Sequence, residues 1–167
     1  VTALLGPNGA GKTTTLRLLV NLLRPTSGEA VVLGRKSTDL GPSEFSRLGY
    51  VSESQKQPLW MTVSQFLDFC RPLYPSWDTA LEERLVKRFE LPLDRKLKHL
   101  SRGMLMKTVF LSNVAYRPAL LLLDEPFSGL DPVVRQDVID GLIEAAAAGE
   151  TTTLISSHDI DDVERLC

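Results

Sequence analysis

The spacing of apolar and polar positions changes period several times along the chain. Val1 to Leu5 is a short apolar run ending at Gly6 and predicts a buried strand. Leu16, Leu19, Val20 and Leu23 then recur at helical spacing, and Pro25 with Gly28 predicts the stop. Ala30 to Leu33, closed by Gly34, and Leu48 to Ser52 predict two further strands. A helical middle follows. Val63, Phe66, Leu67 and Cys70 share one face, as do Leu81, Leu85 and Phe89, with Pro72, Pro75 and Pro92 at the breaks. Met104, Leu105, Val109, Leu111 and Val114 predict a helix starting just after Ser101.

Ala119 to Leu123 is apolar throughout, as in a strand covered on both faces. Asp131-Pro132 offers a helix N-cap and first-turn proline; Ile139, Leu142, Ile143 and Ala146 continue that helix and Gly149 predicts its end. Thr151 to Ser157 predicts the last strand. Strands alternating with helices imply an α/β fold with a mostly parallel sheet.

The 167 residues suffice for one domain, 1–167, and 43% apolar with 24% charged residues is ordinary for a globular protein. A net charge of −2 supplies no basic field for nucleic acid or anionic lipid. Cys70 and Cys167 are far apart in no metal-like spacing, as expected of incidental or buried thiols in a reducing compartment. No apolar run approaches the roughly 18 to 20 residues that cross a bilayer. The chain opens on VTALLG, without an initiator methionine or signal-peptide pattern, and is expected to be cut from a longer subunit at both ends.

Chemistry enters at GPNGAGKTT, residues 6–14, where Gly6, Gly11, Lys12 and Thr13 fit G-x-x-x-x-G-K-[ST] between a strand and a helix. Glycines let successive backbone N–H groups converge on one anion, and a helix N-terminus adds partial positive charge. Gly6, Pro7, Asn8, Gly9, Ala10, Gly11, Lys12, Thr13 and Thr14 are therefore the predicted phosphate cradle. Lys12 would reach the β and γ phosphates and the Thr13 hydroxyl would bind Mg²⁺. A chance glycine turn is the bland alternative, and the flanking strand and helix argue against it. The strand Ala119–Leu123 delivers Asp124 and Glu125 to its carboxyl end, where ligands of parallel sheets collect. Consecutive carboxylates there point opposite ways, so Asp124 can serve Mg²⁺ while Glu125 takes a proton from an attacking water.

The order of these motifs resembles the nucleotide-binding domain of an ABC transporter over essentially the whole chain. The marks are GPNGAGKTT at 6–14, GYVSES at 49–54, LSRGM at 100–104, LLLLDEP at 120–126, SGLD at 128–131 and TLISSH at 153–158. YPSW, LSRGM and FSGLDP are most similar to ATPase subunits of ABC-2-type bacterial exporters. The resemblance implies a P-loop NTPase three-layer core, a helical insertion over 62–117 and a partial antiparallel β subdomain around Ser27 to Gln57. It implies ATP with Mg²⁺ and two domains facing head to tail, each nucleotide lying between one cradle and the partner's LSRGM. Ser101 and Gly103 would then act across the dimer, Asp131 would lie at its seam, and His158 would contact the γ-phosphate. Its implied partners are a second ATPase subunit and a transmembrane permease, at the cytoplasmic face of the membrane, with no nucleic acid. The adenine-stacking residue of the family would lie upstream of Val1, so this fragment is expected to bind nucleotide more weakly than the whole subunit. His99 has no counterpart and is expected at the surface.

Two positions depart from the family. Glu53 stands where a glutamine usually meets Mg²⁺, eight residues separating it from Thr62-Val63, with Gln55 as the alternative for that role. Arg102 replaces a glycine of the signature and Met104 its final glutamine; the arginine either assists at the opposing γ-phosphate or marks a weakened site. Tyr50, Trp60 and Phe66 are candidate contacts for the membrane partner, with core packing the preferred assignment for each. A soluble ABC ATPase acting on nucleic acid or the ribosome is the rival. The short, proline-broken middle segment lacks the coiled coil expected of one such class.

Overall fold

A computed structural model describes residues 1–52, 54–146, 151–160 and 164. Four strands form a parallel sheet: β1 (Thr2–Leu5), β4 (Leu48–Ser52), β5 (Leu120–Asp124) and β6 (Thr152–Ser157), in the order β1-β6-β5-β4. Between β1 and β4 come α1 (Lys12–Leu19), a hairpin of β2 (Val31–Val32) and β3 (Arg35–Lys36), and the short α2 (Pro42–Phe45). The helical middle is α3 (Val63–Cys70), α4 (Thr79–Arg88) and α5 (Arg102–Val114), and α6 (Pro132–Ala146) separates β5 from β6.

Alternation along the strands divides the apolar side chains between two faces. Leu121, Leu123, Val51 and Ile155 pack with Leu67, Leu85, Phe110 and Val138 in a core shared with α3 to α6. Leu122 and Leu48 pack on the other face with Leu16 of α1, Val20 just after it and Val32 of the hairpin. Helices therefore cover both faces of the sheet, as the three-layer expectation requires. Lys107 of α5 forms an ion pair with Asp137 of α6, and Phe89 meets Phe110 edge-on at 6.2 Å between ring centroids.

The structure departs most from the sequence reading at α1, β2 and β4. Helix α1 ends at Leu19 rather than near Leu23, because Asn21 adopts φ 57° and the N–H groups of Leu22 and Leu23 turn back onto the Arg17 carbonyl. Asparagine tolerates this left-handed cap, so the periodic Leu23 lies beyond the helix and is exposed. The strand expected over Ala30–Leu33 shortens to β2, because Leu33 and Gly34 both take positive φ and make the tight hairpin turn. Strand β4 falls within the expected antiparallel subdomain but pairs in parallel with β5, register Ser52 opposite Asp124. The antiparallel part is thus β2 and β3 alone among the described residues. Gly149, the expected end of α6, and Cys167 lie outside the described residues.

Candidate functional site

The four parallel strands end at one edge, and the predicted chemistry gathers there. After β1 the chain makes the open glycine loop. Gly9 (φ 86°) and Gly11 (φ 92°) take left-handed conformations that favour glycine, and Gly11 caps α1 with no side-chain cap of its own. Pro7, Asn8, Gly9, Ala10 and Thr14 are exposed, Gly6, Gly11 and Thr13 half-buried. Lys12 alone is buried, at 7% exposure. Its ammonium donates to the Gly6 carbonyl at 2.7 Å and the Pro7 carbonyl at 3.2 Å, curling back along the loop it follows.

Asp124 ends β5 on the α1 face and is 4% exposed. Its Oδ1 accepts from the Thr13 hydroxyl at 2.8 Å and the Ser156 hydroxyl at 2.9 Å. Its Oδ2 stands 3.4 Å from both the Tyr50 and the Ser52 hydroxyls. The register explains this cluster, since Ser52, Asp124 and Ser156 are direct cross-strand neighbours. Ser156 also accepts from the backbone N–H of Glu125 at 3.0 Å. One buried hydroxyl thus holds both acidic residues.

Glu125 itself takes φ 50°, a left-handed conformation rare for a side chain of this kind. Its Oε1 lies 3.0 Å from the Lys12 ammonium, an ion contact rather than an aligned hydrogen bond. Its Oε2 lies 2.8 Å from Nδ1 of His158, and because an ionised carboxylate only accepts, Nδ1 carries the hydrogen. Burial pushes the Glu125 carboxyl up, but the bond from His158 and the Lys12 charge outweigh it and hold it below the ordinary glutamate value. Two hollows flank this group. One, of about 200 Å³, is lined by Asn8, Gly9, Gly11, Lys12 and Thr14 of the cradle; the other, of about 290 Å³, by Arg17, Ser52, Ser54 and Asp124; both include Thr13 and Glu125.

Other predicted residues stand apart. Ser101 is an exposed N-cap of α5, accepting from the Met104 N–H at 3.2 Å. Gly103 is buried where α5 crosses α6, and a Cβ there would come within 2.8 Å of Val134. Neither lines the hollows at the glycine loop. Glu53 lies outside the described residues, while Gln55 is exposed and lines a separate hollow of about 240 Å³ with Arg102, Leu105 and Met106. His99 is exposed, as expected. Phe66 packs in the core as preferred, whereas Trp60, for which packing is also the preferred assignment, is 67% exposed. Cys70 is half-buried, and burial pushes its thiol up to about 11, which fits an inert side chain.

A strand, a glycine loop and a helix facing an acidic pair across the carboxyl edge of a parallel sheet define a P-loop nucleotide-binding core. The comparisons place it more narrowly. A profile described as "ABC transporter" matches residues 1–128, and the chain belongs to that family as its ATP-binding domain. It is 34% identical over 166 residues to the ABC transporter ATP-binding protein YtrB of Bacillus subtilis, covering 98% of this chain and 56% of that protein. It is 36% identical over 166 residues to a fluoroquinolones export ATP-binding protein of Mycobacterium tuberculosis, covering 98% and 54%. A solved structure titled "Structure of ATP binding subunit of ABC transporter" superposes with a TM-score of 0.85 at 30% identity, over 99% of this chain and 71% of that one. The chain spans little more than half the length of these two curated relatives.

Proposed function

We propose that the whole protein binds and hydrolyses ATP as the nucleotide-binding subunit of an ABC transporter, and that it drives export through a membrane permease. The observation that carries this reading is the Lys12–Glu125–His158 line at the mouth of the glycine loop. The resting contacts suit a substrate that displaces them. A polyphosphate offers Lys12 better acceptors than the Gly6 and Pro7 carbonyls and competes with Glu125 for the ammonium. Withdrawing that charge returns Glu125 toward ordinary basicity, so it gains proton affinity when the substrate is in place. His158 keeps hold of Oε2 and orients the carboxylate toward water.

Magnesium fits the residues present. Asp124 is a buried carboxylate whose described partners are neutral hydroxyls, and those of Thr13 and Ser52 add hard oxygen donors beside it. Bound Mg²⁺ would offset charge on the phosphates; Asp124 and Thr13 would hold it, with Glu53 or Gln55 as a further oxygen donor. Exposure of Ser101 at the N-terminus of the 13-residue α5 supports a role toward the nucleotide of a second subunit, with Asp131 at the seam. Gly103 would serve that role by letting α5 lie close on α6, and its backbone stands one residue into the helix. No helix of the described residues is long and apolar enough to cross a membrane. On the family reading, the chain would meet the membrane through its permease, at the cytoplasmic face. Exposed Trp60, with Leu59 and Phe69, is the apolar surface offered to that partner. The export reading draws on the fluoroquinolone-exporting relative and on the YPSW and LSRGM stretches.

The test is steady-state hydrolysis by the intact subunit with its membrane partner. Glu125→Gln is expected to lower kcat at least about a hundredfold. A wild-type rate no faster than that of the variant would defeat the proposal.

A further inference from the structure

Arg102 is the departure from the family that the site leaves unexplained, and its surroundings are specific. It is the first residue of α5, directly after the Ser101 cap. Its Nη2 donates to the Ser128 carbonyl at 2.7 Å. The guanidinium also lies against Gly129, where a Cβ would stand 2.4 Å from Nη1 and 2.7 Å from Cζ. Gly129 takes φ 62°, so absence of a side chain there serves both the turn and the arginine. Ser128 in turn donates its N–H to the Glu125 carbonyl at 3.1 Å. One residue further along, Gly103 meets Val134, whose N–H is capped at 3.0 Å by Asp131. Two successive residues of LSRGM thus touch the SGLD turn and the first turn of α6 that Asp131 caps.

We propose that Arg102 is a positioning residue that ties the signature turn to the SGLD turn of its own chain and, through Ser128, to the backbone of Glu125. This rests on the reading that Ser101 meets the nucleotide of a partner subunit. A glycine at 102 would remove both the bond to Ser128 and the contact over Gly129. The planar guanidinium adds a directed bond and a flat contact over Gly129 that no smaller side chain supplies. A displacement of Ser101 by the partner's nucleotide then moves Ser128, one hydrogen bond from the residue that activates water. Arg102 works within its own subunit and is not a ligand of the opposing phosphate.

The intact subunit in its membrane complex tests this with Arg102→Ala, Arg102→Lys and Gly129→Ala, the last displacing the guanidinium with a new Cβ. Amide exchange over residues 127–131, which needs no hydrolysis, is expected to quicken in Arg102→Ala. Hydrolysis is expected to show kcat lowered about fivefold with KM held within about twofold, the lysine variant falling between. Gly129→Ala should act in the same direction, and the double variant should be no worse than the worse single one. Unchanged exchange and kcat in Arg102→Ala would overturn the tie. A raised KM with kcat unchanged would overturn it too, making the arginine a phosphate ligand. Faster exchange in a complex whose wild type does not hydrolyse ATP would support the tie while removing the ATPase reading.

Discussion

Ser156 shows how much one hydroxyl can organise. It donates to Asp124 and accepts from the Glu125 N–H, so it fixes the buried carboxylate and the left-handed backbone of its neighbour together. Ser156→Ala is expected to lower kcat about tenfold while leaving the fold intact, with restored activity in Ser156→Thr, by steady-state assay of the intact complex. The charge on Glu125 makes a second prediction. Its folded-state pKa lies below the unfolded value, so its stabilising contribution is complete above that unfolded value and is lost as pH falls through the folded one. Melting temperatures of the wild type and Glu125→Gln should therefore differ most near neutrality and converge on the acid side. A constant difference across that window would contradict the Lys12 and His158 pairing. Lys12, Thr13, Asp124 and Glu125 were legible in the sequence because motif spacing names them. Ser156 and Ser52 are read only as strand residues and Tyr50 as a packing residue, although period-two alternation carries them and Asp124 to one face. The signal lay in strand register, which a linear motif does not display.

At the scale of elements, helix packing decides where glycine is needed. Gly141 sits inside α6, where alanine would gain about 1 kcal/mol of helix propensity. A Cβ there would stand 2.6 Å from Cζ of Phe89, a fully buried ring with no room to retreat. Overpacking of about 1 to 3 kcal/mol wins, and Gly141→Ala is expected to lower the melting temperature of the subunit rather than raise it. At the start of α3 an alanine substitution destabilises for a different reason, the loss of a cap. Thr62 and Gln65 bond reciprocally at 3.1 and 3.0 Å, and Thr62→Ala should cost about 1 kcal/mol in denaturant unfolding. Strand positions were readable where apolar runs were long, as in β5. The end of α1 was misplaced because the hydrophobic repeat continues past the cap at Asn21. Periodicity reports which residues could face a core, whereas the left-handed cap decides where the helix stops.

Across the whole molecule, two apolar layers press on a sheet whose carboxyl edge carries the glycine loop and the acidic pair. The phosphate loop, the acidic pair and His158 come from three different strand ends, and only the parallel arrangement brings them within 3 Å or so of one another. Trp60, for which core packing is the preferred expectation over partner contact, is instead exposed just before α3. The account's central claim is that Glu125 activates cleavage of a triphosphate held by the loop at 6–14. Its most direct test is a single turnover: intact complex loaded with ATP, supplied with Mg²⁺, and assayed for bound ATP and ADP over time. The wild type is expected to convert bound ATP to ADP, while Glu125→Gln retains ATP in the site. Conversion at the same rate in both would contradict the claim.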